Sequence, residues 1–226
     1  MENDEIILDG TLESDLNTHK NIVYLFFKRL FDIVISLIGI IPLIICTIVI
    51  KVWSIFTKDF HSIFFKQERI GKNGKKIYIY KFRSMVPNAE DVLEKMMEEN
   101  PEIKKEYLEN KKLEKDPRIT SVGKFIRKLS IDEVPQLLNI LKGDMSLVGP
   151  RPYLPREKED MKEYYEYIVS CKPGLTGLWQ VSGRNDVSFN ERLKLDKKYS
   201  KAKGLFYDFK ILCKTFIVVF KRKGAK

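Results

Sequence analysis

Residues 33–50 read Ile-Val-Ile-Ser-Leu-Ile-Gly-Ile-Ile-Pro-Leu-Ile-Ile-Cys-Thr-Ile-Val-Ile, and none of these side chains carries a charge. At about 1.5 Å per helical residue, a helix of this length is about as long as the hydrocarbon core of a bilayer is thick. Pro42 lies near the middle, where a proline removes a backbone hydrogen bond and bends a helix. The stretch therefore predicts a membrane-associated helix that bends at Pro42.

Basic residues flank this stretch on both sides, so the positive-inside rule gives a straight span no clear orientation. A helix bent at Pro42 that enters and leaves by the cytoplasmic face accounts for both observations. A simple kinked span is the alternative, and the residues alone leave the two open. With Pro42, the residues assigned to the anchor are Lys28, Arg29 and Asp32.

The chain has 226 residues and a formal net charge of +10, and because its first twenty residues are acidic, residues 21–226 carry +15. This excess favours anionic partners such as phospholipid, nucleic acid or phosphorylated substrates, although a charged surface can also serve solubility alone. The three cysteines form no CxxC pair and the chain has two histidines, which argues against a disulfide framework and against a zinc site. Oxygen-bound magnesium or manganese is the metal class that fits.

Beyond residue 60 the chain becomes polar and its pattern changes. Two runs of near-alternating residues on either side of Asn73-Gly74 predict a β-hairpin. Residues 88–115 are rich in Glu and Lys and are interrupted by Pro101, which is typical of solvated helices.

Further along, the pattern predicts short helices over 121–129 and 130–141. Residues 172–186 are rich in glycine and predict loops. Residues 205–220 are apolar with interspersed charges, which predicts either a helix in the membrane interface or a buried helix.

Two adjacent acids, Asp132 and Glu133, lie in the segment Ser-Ile-Asp-Glu-Val-Pro-Gln at residues 130–136. Ser130 and Glu133 have the spacing of a capping box, and alternatively Asp132 caps the helix with Pro135 in its first turn. Either role would explain the acids without any chemistry.

The functional interpretation uses the same residues. A helix N-terminus lowers a carboxyl pKa, so Asp132 is expected to be ionised and able to attack phosphorus. A divalent ion would screen the repulsion between that carboxylate and substrate phosphates. Arg118, Arg127 and Arg151 could each bind phosphate oxygens through two parallel hydrogen bonds. The prolines on both sides of Arg151 hold its backbone in extended geometry.

A series of short motifs carries a family resemblance across residues 21–220. The motifs are residues 28–32, 65–71, 80–85, 116–120, 123–127, 132–136, 143–152, 173–177 and 183–185. In this order they resemble the bacterial sugar transferases, which are monotopic polyprenyl-phosphate phosphoglycosyl transferases.

The resemblance implies that a sugar 1-phosphate passes from a nucleotide-sugar, with UDP as the expected nucleotide, to a polyprenyl phosphate. Asp132 matches the nucleophile of a ping-pong mechanism with an aspartyl-phosphosugar intermediate, and Glu133 matches the partner acid. Mg²⁺ is the implied cofactor, with Asp132 and Glu133 as its metal-site residues. Arg127 and Arg151 match arginines that position phosphate. The other residues assigned to substrate binding are Lys81, Arg83, Arg118, Gln136, Arg184 and Asn185.

The resemblance also implies the fold class, which is mostly α with a small β-hairpin. A single catalytic domain, residues 59–226, would lie on a re-entrant helix, residues 21–58, with interfacial amphipathic helices. Residues 1–20 are expected to form a disordered acidic tail, and the chain is expected to be a minimal catalytic unit. The site would face the cytoplasm at the bacterial inner membrane. Ile41 stands where relatives often have a serine before the bend proline.

The implied partners are membrane phospholipid, polyprenyl phosphate, a nucleotide-sugar and downstream glycosyltransferases, without nucleic acid. Two rival functions remain open at this point. One is a basic, membrane-anchored protein that binds lipid or nucleic acid without catalysis. The other is a hydrolase that splits nucleotide-sugars without a lipid acceptor.

Overall fold

The computed structural model of the chain describes residues 22–111, 113–183 and 187–220, so the predicted tail 1–20 lies outside the described residues. The architecture is mostly helical with two small sheets, as predicted for the helices and the hairpin. The first helix is α1 (Ile22–Phe56). In chain order the other elements are β1 (Phe64–Ile70), β2 (Lys76–Phe82), α2 (Ala89–Glu99), α3 (Pro101–Asn110), α4 (Ser121–Lys128), α5 (Gln136–Lys142), β3 (Ser146–Val148), α6 (Tyr165–Val169), β4 (Gly174–Thr176), α7 (Leu178–Ser182), α8 (Phe189–Ala202) and α9 (Leu205–Phe220).

Helix α1 runs for 35 residues with Pro42 inside it. Among the described residues it is the one helix that is long and apolar enough to cross a membrane. Only one narrow stripe of it is buried against the rest of the protein, and the other faces expose large apolar side chains. Because helical residues three, four and seven apart share a face, the buried residues form a stripe along its length. They are Tyr24, Asp32, Ser36, Leu43, Ile50 and Ser54.

Polar side chains attach the first half of α1 to the rest of the protein. The Lys28 ammonium donates hydrogen bonds to Asp208 Oδ2 on α9 (2.5 Å) and to the Val148 carbonyl (2.9 Å). Asp32 Oδ1 accepts a hydrogen bond from the Leu147 backbone N–H (2.8 Å). Buried polar groups of this kind fix one register, because a shifted helix would leave them without partners.

Helix α1 also packs against α5. Arg29 donates to the carbonyl oxygens of Ile140 (2.5 Å) and Leu141 (2.8 Å), which belong to the last turn of α5. Cations at that end of a helix satisfy its unpaired carbonyls and its dipole. A Cβ built on Gly39 would lie 2.5 Å from a Leu137 methyl group, so the glycine allows the two helices to approach closely.

Strands β1 and β2 form the predicted antiparallel hairpin, with Phe64 opposite Phe82 and Ile70 opposite Lys76. The connecting turn contains Asn73 in the left-handed region at φ 57°. Asparagine tolerates this conformation better than most residues, which is why the Asn-Gly pair predicted the turn correctly.

A second sheet was not predicted. Strands β3 and β4 pair in parallel, with Ser146 opposite Gly174 and Val148 opposite Thr176. Residues 172–186 were predicted to be loops, and that prediction is wrong where β4 and α7 lie. Three-residue strands are too short to show an alternating pattern, and their pairing depends on residues far apart in the chain.

Helices α2 and α3 confirm the predicted break at Pro101. Proline occupies the first helical position of α3, where its missing N–H is harmless, and Asn100 caps the helix by accepting from the backbone of Glu102 (2.9 Å) and Ile103 (3.3 Å).

Helix α9 (Leu205–Phe220) has a buried inner face and an exposed apolar outer face, so neither of the two predicted arrangements describes all of it. Asp208 and Ile211 face inward and are buried. Phe206, Phe209 and Phe216 point outward and are largely exposed. An apolar outer face beside a packed inner face is the pattern of a helix that lies between a protein body and an apolar surrounding.

Candidate active site

The acid pair lies on a 3-10 turn, Ile131–Glu133, between α4 and α5. Ser130 has a left-handed backbone, with φ 56°, and its side chain caps nothing. Pro135 is the residue that directly precedes α5, which carries no acid in its first turn. Both predicted capping roles are therefore wrong, because the acids come before the helix and do not cap it.

Glu133 instead contacts a residue from the hairpin. The Lys81 ammonium, on β2, donates to Glu133 Oε1 over 2.8 Å. Burial alone would raise the pKa of Glu133, but the positive charges of Lys81, Arg151 and Arg69 outweigh it and lower the pKa. Glu133 is thus held as a carboxylate.

Asp132 has the opposite shift. Burial, followed by the adjacent Glu133 charge, raises the pKa of Asp132 to about 6, although Lys81 and Arg127 pull it down. The prediction that a helix N-terminus would lower this pKa is wrong, because no α-helix begins at Asp132. The carboxyl is still mostly ionised at pH 7, as a nucleophile toward phosphorus must be.

Arg127, in the last turn of α4, supplies the cation on the Asp132 side. Its Nε donates to Ser84 Oγ (2.8 Å), and its two terminal nitrogens make no hydrogen bond to a described residue. Gly123 lets α4 approach this segment, since a Cβ there would lie 1.9 Å from the Ser84 carbonyl oxygen. The close approach of α4 to Ser84 therefore fixes the position of Arg127, and its two terminal guanidinium nitrogens can bind an anion.

Arg151 supplies the cation on the Glu133 side. Its guanidinium lies over the Trp179 ring, 5.6 Å from the ring centre. Within the described part of the chain it forms no ion pair and no side-chain hydrogen bond. Its charge lowers the pKa of Glu133, which places it within electrostatic reach of the acid pair.

Arg69 is a site residue that the sequence assignment missed. It is buried on β1 and donates to the Pro152 carbonyl (3.1 Å). Burial, followed by the Arg151 charge, lowers the pKa of Arg69 to about 10. The available signal was its place in the motif at residues 65–71, but nothing local indicates that it faces the acid pair.

Two predicted substrate-binding residues have other partners. Arg83 donates twice to Asp59, over 2.9 and 2.8 Å, and joins the hairpin to the segment that follows α1. Arg118 forms a buried two-bond pair with Asp116, over 2.8 and 2.6 Å. The structure therefore gives these two arginines structural ion pairs, and their guanidinium groups are already satisfied.

The remaining predicted residues divide into two groups. Gln136 is the first residue of α5, and it is buried, with 2% of its surface exposed. Arg184 and Asn185 lie outside the described residues.

The described residues contain no group of three His, Cys, Asp or Glu side chains that could hold a metal ion by themselves. Magnesium is commonly bound by one or two carboxylates together with substrate phosphates. Asp132 and Glu133 fit that pattern, since both are carboxylates beside cations that would hold the phosphates.

The family of the chain follows from its similarity to known proteins. The sequence profile described as bacterial sugar transferase matches residues 23–222. The chain belongs to the bacterial sugar transferase family.

Individual relatives in this family extend over most of the chain. The undecaprenyl-phosphate galactose phosphotransferase of Salmonella typhimurium is 48% identical over 200 residues, covering 88% of this chain and 42% of that protein. The exopolysaccharide production protein ExoY of Sinorhizobium fredii is 42% identical over 198 residues, covering 88% and 87%. The UDP-glucose:undecaprenyl-phosphate glucose-1-phosphate transferase of Escherichia coli is 34% identical over 204 residues, covering 86% and 39%. The chain spans about two fifths of the length of the first and third of these relatives and most of the second.

Proposed function

We propose that this chain transfers a sugar 1-phosphate from a UDP-sugar to undecaprenyl phosphate, forming undecaprenyl-diphosphate-sugar and releasing UMP. The names of the Salmonella and Escherichia relatives support the acceptor, and the latter also supports the donor. ExoY is named for exopolysaccharide production, which supports a role at the start of a glycan pathway, before glycosyltransferases that extend the lipid-linked sugar.

The observation that carries the proposal is that arginines from two separate segments act electrostatically on the acid pair. Arg127 acts on the Asp132 side and Arg151 on the Glu133 side, as their effects on the two carboxyl pKa values indicate. A nucleotide-sugar contains two linked phosphates, and guanidinium groups bind phosphate oxygens through paired hydrogen bonds. The site can therefore hold a diphosphate across an ionised carboxylate.

The chemistry that fits these groups has two steps. An Asp132 carboxylate oxygen forms a bond to the sugar-bearing phosphorus, and the bond from that phosphorus to the UMP oxygen breaks. A phosphate oxygen of undecaprenyl phosphate then attacks the same phosphorus and releases the Asp132 carboxylate. Neither step needs an oxidant. Arg127 and Arg151 stabilise the charge on the phosphate oxygens in both steps.

Glu133 and Lys81 have supporting roles in this mechanism. Their 2.8 Å contact holds the Glu133 carboxylate beside Asp132. Magnesium bound by Asp132 and Glu133 would screen the repulsion between carboxylate and phosphate.

We also infer that α1 enters and leaves the membrane by the same face. Its contacts with the rest of the protein extend from Lys28, which binds Asp208, to Ile50, which packs with Phe82 and Ile126. A straight span would carry this polar body about 30 Å into the hydrocarbon, where unpaired charges are costly. A re-entrant helix, with α9 in the interface, keeps the body outside. We assign that side to the cytoplasmic face of the bacterial inner membrane, where soluble nucleotide-sugars are available.

The activity is tested with the full chain in detergent or lipid nanodiscs. UDP-galactose, UDP-glucose and N-acetylated UDP-sugars are screened for UMP release with and without undecaprenyl phosphate. We expect release of more than one UMP per enzyme molecule to need the lipid, because only the lipid regenerates the Asp132 carboxylate. Asp132→Asn should abolish it while Asp91→Asn, at an exposed site on α2, should not. Repeated turnover to UMP without the lipid, beyond one UMP per enzyme, would favour the hydrolase, and full turnover in Asp132→Asn would reject the assigned nucleophile.

The membrane arrangement is tested separately. Single cysteines replace Ile22 and Phe60, which are 80% and 74% exposed, in a chain without other cysteines. We expect a membrane-impermeant maleimide to label both positions from the cytoplasmic side. Labelling from opposite sides would show that α1 spans the membrane.

A further inference from the structure

The short segment that carries Arg151, residues 150–152, has a single backbone hydrogen-bond donor. Pro150 and Pro152 flank the arginine, and proline has no backbone N–H. The Arg151 N–H is therefore the only backbone donor of these three residues. It donates to Asp196 Oδ2 on α8 over 3.0 Å.

Two of the three backbone carbonyls of the same segment accept hydrogen bonds. The Pro150 carbonyl accepts from the Gly174 N–H (2.8 Å), and the Pro152 carbonyl accepts from Arg69 (3.1 Å). Three separate elements, α8, β4 and β1, thus hold the segment, while the Arg151 guanidinium stays without an ion pair among the described residues. The protein fixes the backbone of Arg151 and leaves its charged group for another partner.

Holding this turn with the Asp196 carboxyl costs folding stability. It is fully buried, and its Oδ2 also accepts from the Tyr153 hydroxyl over 2.8 Å. Burial raises the pKa of Asp196 to about 7, even though the Arg151 N–H, Tyr153, and the charges of Arg151 and Arg192 all lower it. Its other oxygen has no hydrogen-bond partner among the described residues. A buried carboxyl with an unsatisfied oxygen destabilises a fold, so its presence here calls for an explanation beyond stability.

We propose that Asp196 is a positioning residue for the transfer reaction, which acts by fixing the backbone of Arg151 so that its guanidinium faces the Glu133 side of the site. This inference rests on the proposed function. Asp196 itself touches no substrate. Its effect passes through one hydrogen bond to a residue that does.

The test is a double-mutant cycle on the full chain, with kcat and KM measured for the UDP-sugar that the wild type uses best. Asp196→Ala removes the acceptor, and Asp196→Asn keeps an oxygen that can accept the Arg151 N–H. Each is made alone and together with Arg151→Ala. Glu94→Gln, at an exposed position on α2, is the matched control.

We expect Asp196→Ala to raise KM for the UDP-sugar and to lower kcat/KM about tenfold, which is the usual scale for losing a hydrogen bond to a charged group. Asp196→Asn should keep most of the wild-type kcat/KM. In the Arg151→Ala background, Asp196→Ala should change kcat/KM by less than about twofold, because the group it positions is gone.

Other outcomes would overturn the inference. A merely structural role would reduce the amount of folded enzyme and leave KM unchanged, since KM belongs to the folded fraction. Equal losses from Asp196→Ala with and without Arg151 would also reject it. A wild-type chain without transferase activity would reject the proposed function itself, which is a separate result.

Discussion

Replacing Glu133 with glutamine tests the electrostatics of the acid pair through the pH dependence of the reaction. Burial and the Glu133 charge raise the pKa of Asp132 to about 6. Glutamine removes the negative charge and also frees the Lys81 ammonium, which is 2.8 Å from Glu133 Oε1, to act on Asp132. Both effects favour the ionised aspartate, so the pKa of Asp132 should fall.

The size of the change follows from the charges involved. A neighbouring charge in a partly solvated site shifts a carboxyl pKa by about one unit, which corresponds to about 1.4 kcal/mol. With a pKa of about 6, roughly one tenth of Asp132 is ionised at pH 5. With a pKa one unit lower, about half is ionised at that pH. The activity at pH 5 relative to pH 7.5 should therefore rise about fivefold.

The assay is kcat/KM for the UDP-sugar, which reports the free enzyme and the free donor in the first half-reaction. The diphosphate of the donor does not titrate in this range, whereas the lipid phosphate and UMP do. The plateau rate of Glu133→Gln is expected to fall, so both proteins are compared as ratios. Glu94→Gln should keep the wild-type ratio. If the ratio for Glu133→Gln is unchanged or lower, the assigned coupling between Asp132 and Glu133 is wrong.

Three further outcomes are expected. Gly123→Ala should unfold the chain or lower its Tm by many degrees, because the new Cβ would lie 1.9 Å from the Ser84 carbonyl oxygen. Gly204→Ala, which has nothing within 4 Å of the new Cβ, should leave the Tm unchanged, and thermal unfolding in detergent distinguishes the two variants. Asp32→Leu should lower the free energy of unfolding by about 2 kcal/mol, or the Tm by roughly 4–8 °C, because the Leu147 N–H loses its buried acceptor. An unchanged Tm would contradict this contact. Chelation by EDTA should stop UMP release and added Mg²⁺ should restore it; activity that persists in EDTA would remove magnesium from the mechanism.

The parts of the fold that the sequence predicted are those with local signals. Asn73 marks the hairpin turn, and Pro101 with Asn100 marks the start of α3, because each conformation depends on the residue itself and its immediate neighbours. The β3–β4 sheet has no such signal. Its pairing joins segments about 28 residues apart and each strand has three residues, so only tertiary packing selects it.

The acid pair shows why the setting of a site is harder to predict than its residues. The capping box at Ser130 is a valid local pattern, but Glu133 is 52 positions from Lys81 and binds it instead. For Arg118, the nearby Asp116 could have indicated a local pair. Arg69 and Asp196 act on the site from β1 and α8, and no pattern along the chain connects either to Asp132.

The contact between α1 and α5 relates the membrane helix to the chemistry. Gly39, in the apolar half of α1, lies against Leu137 in the first turn of α5, and that turn begins three residues after Glu133. Arg29 holds the other end of α5 through its last carbonyls. Helix α5 is thus fixed along α1 at both ends, so in the proposed membrane arrangement the depth of α1 in the bilayer would set the height of the acid pair. Under the proposed function, Asp132 must meet both a soluble nucleotide-sugar and a lipid phosphate, and that requires a fixed height, because the lipid phosphate can leave the headgroup level only at a large desolvation cost.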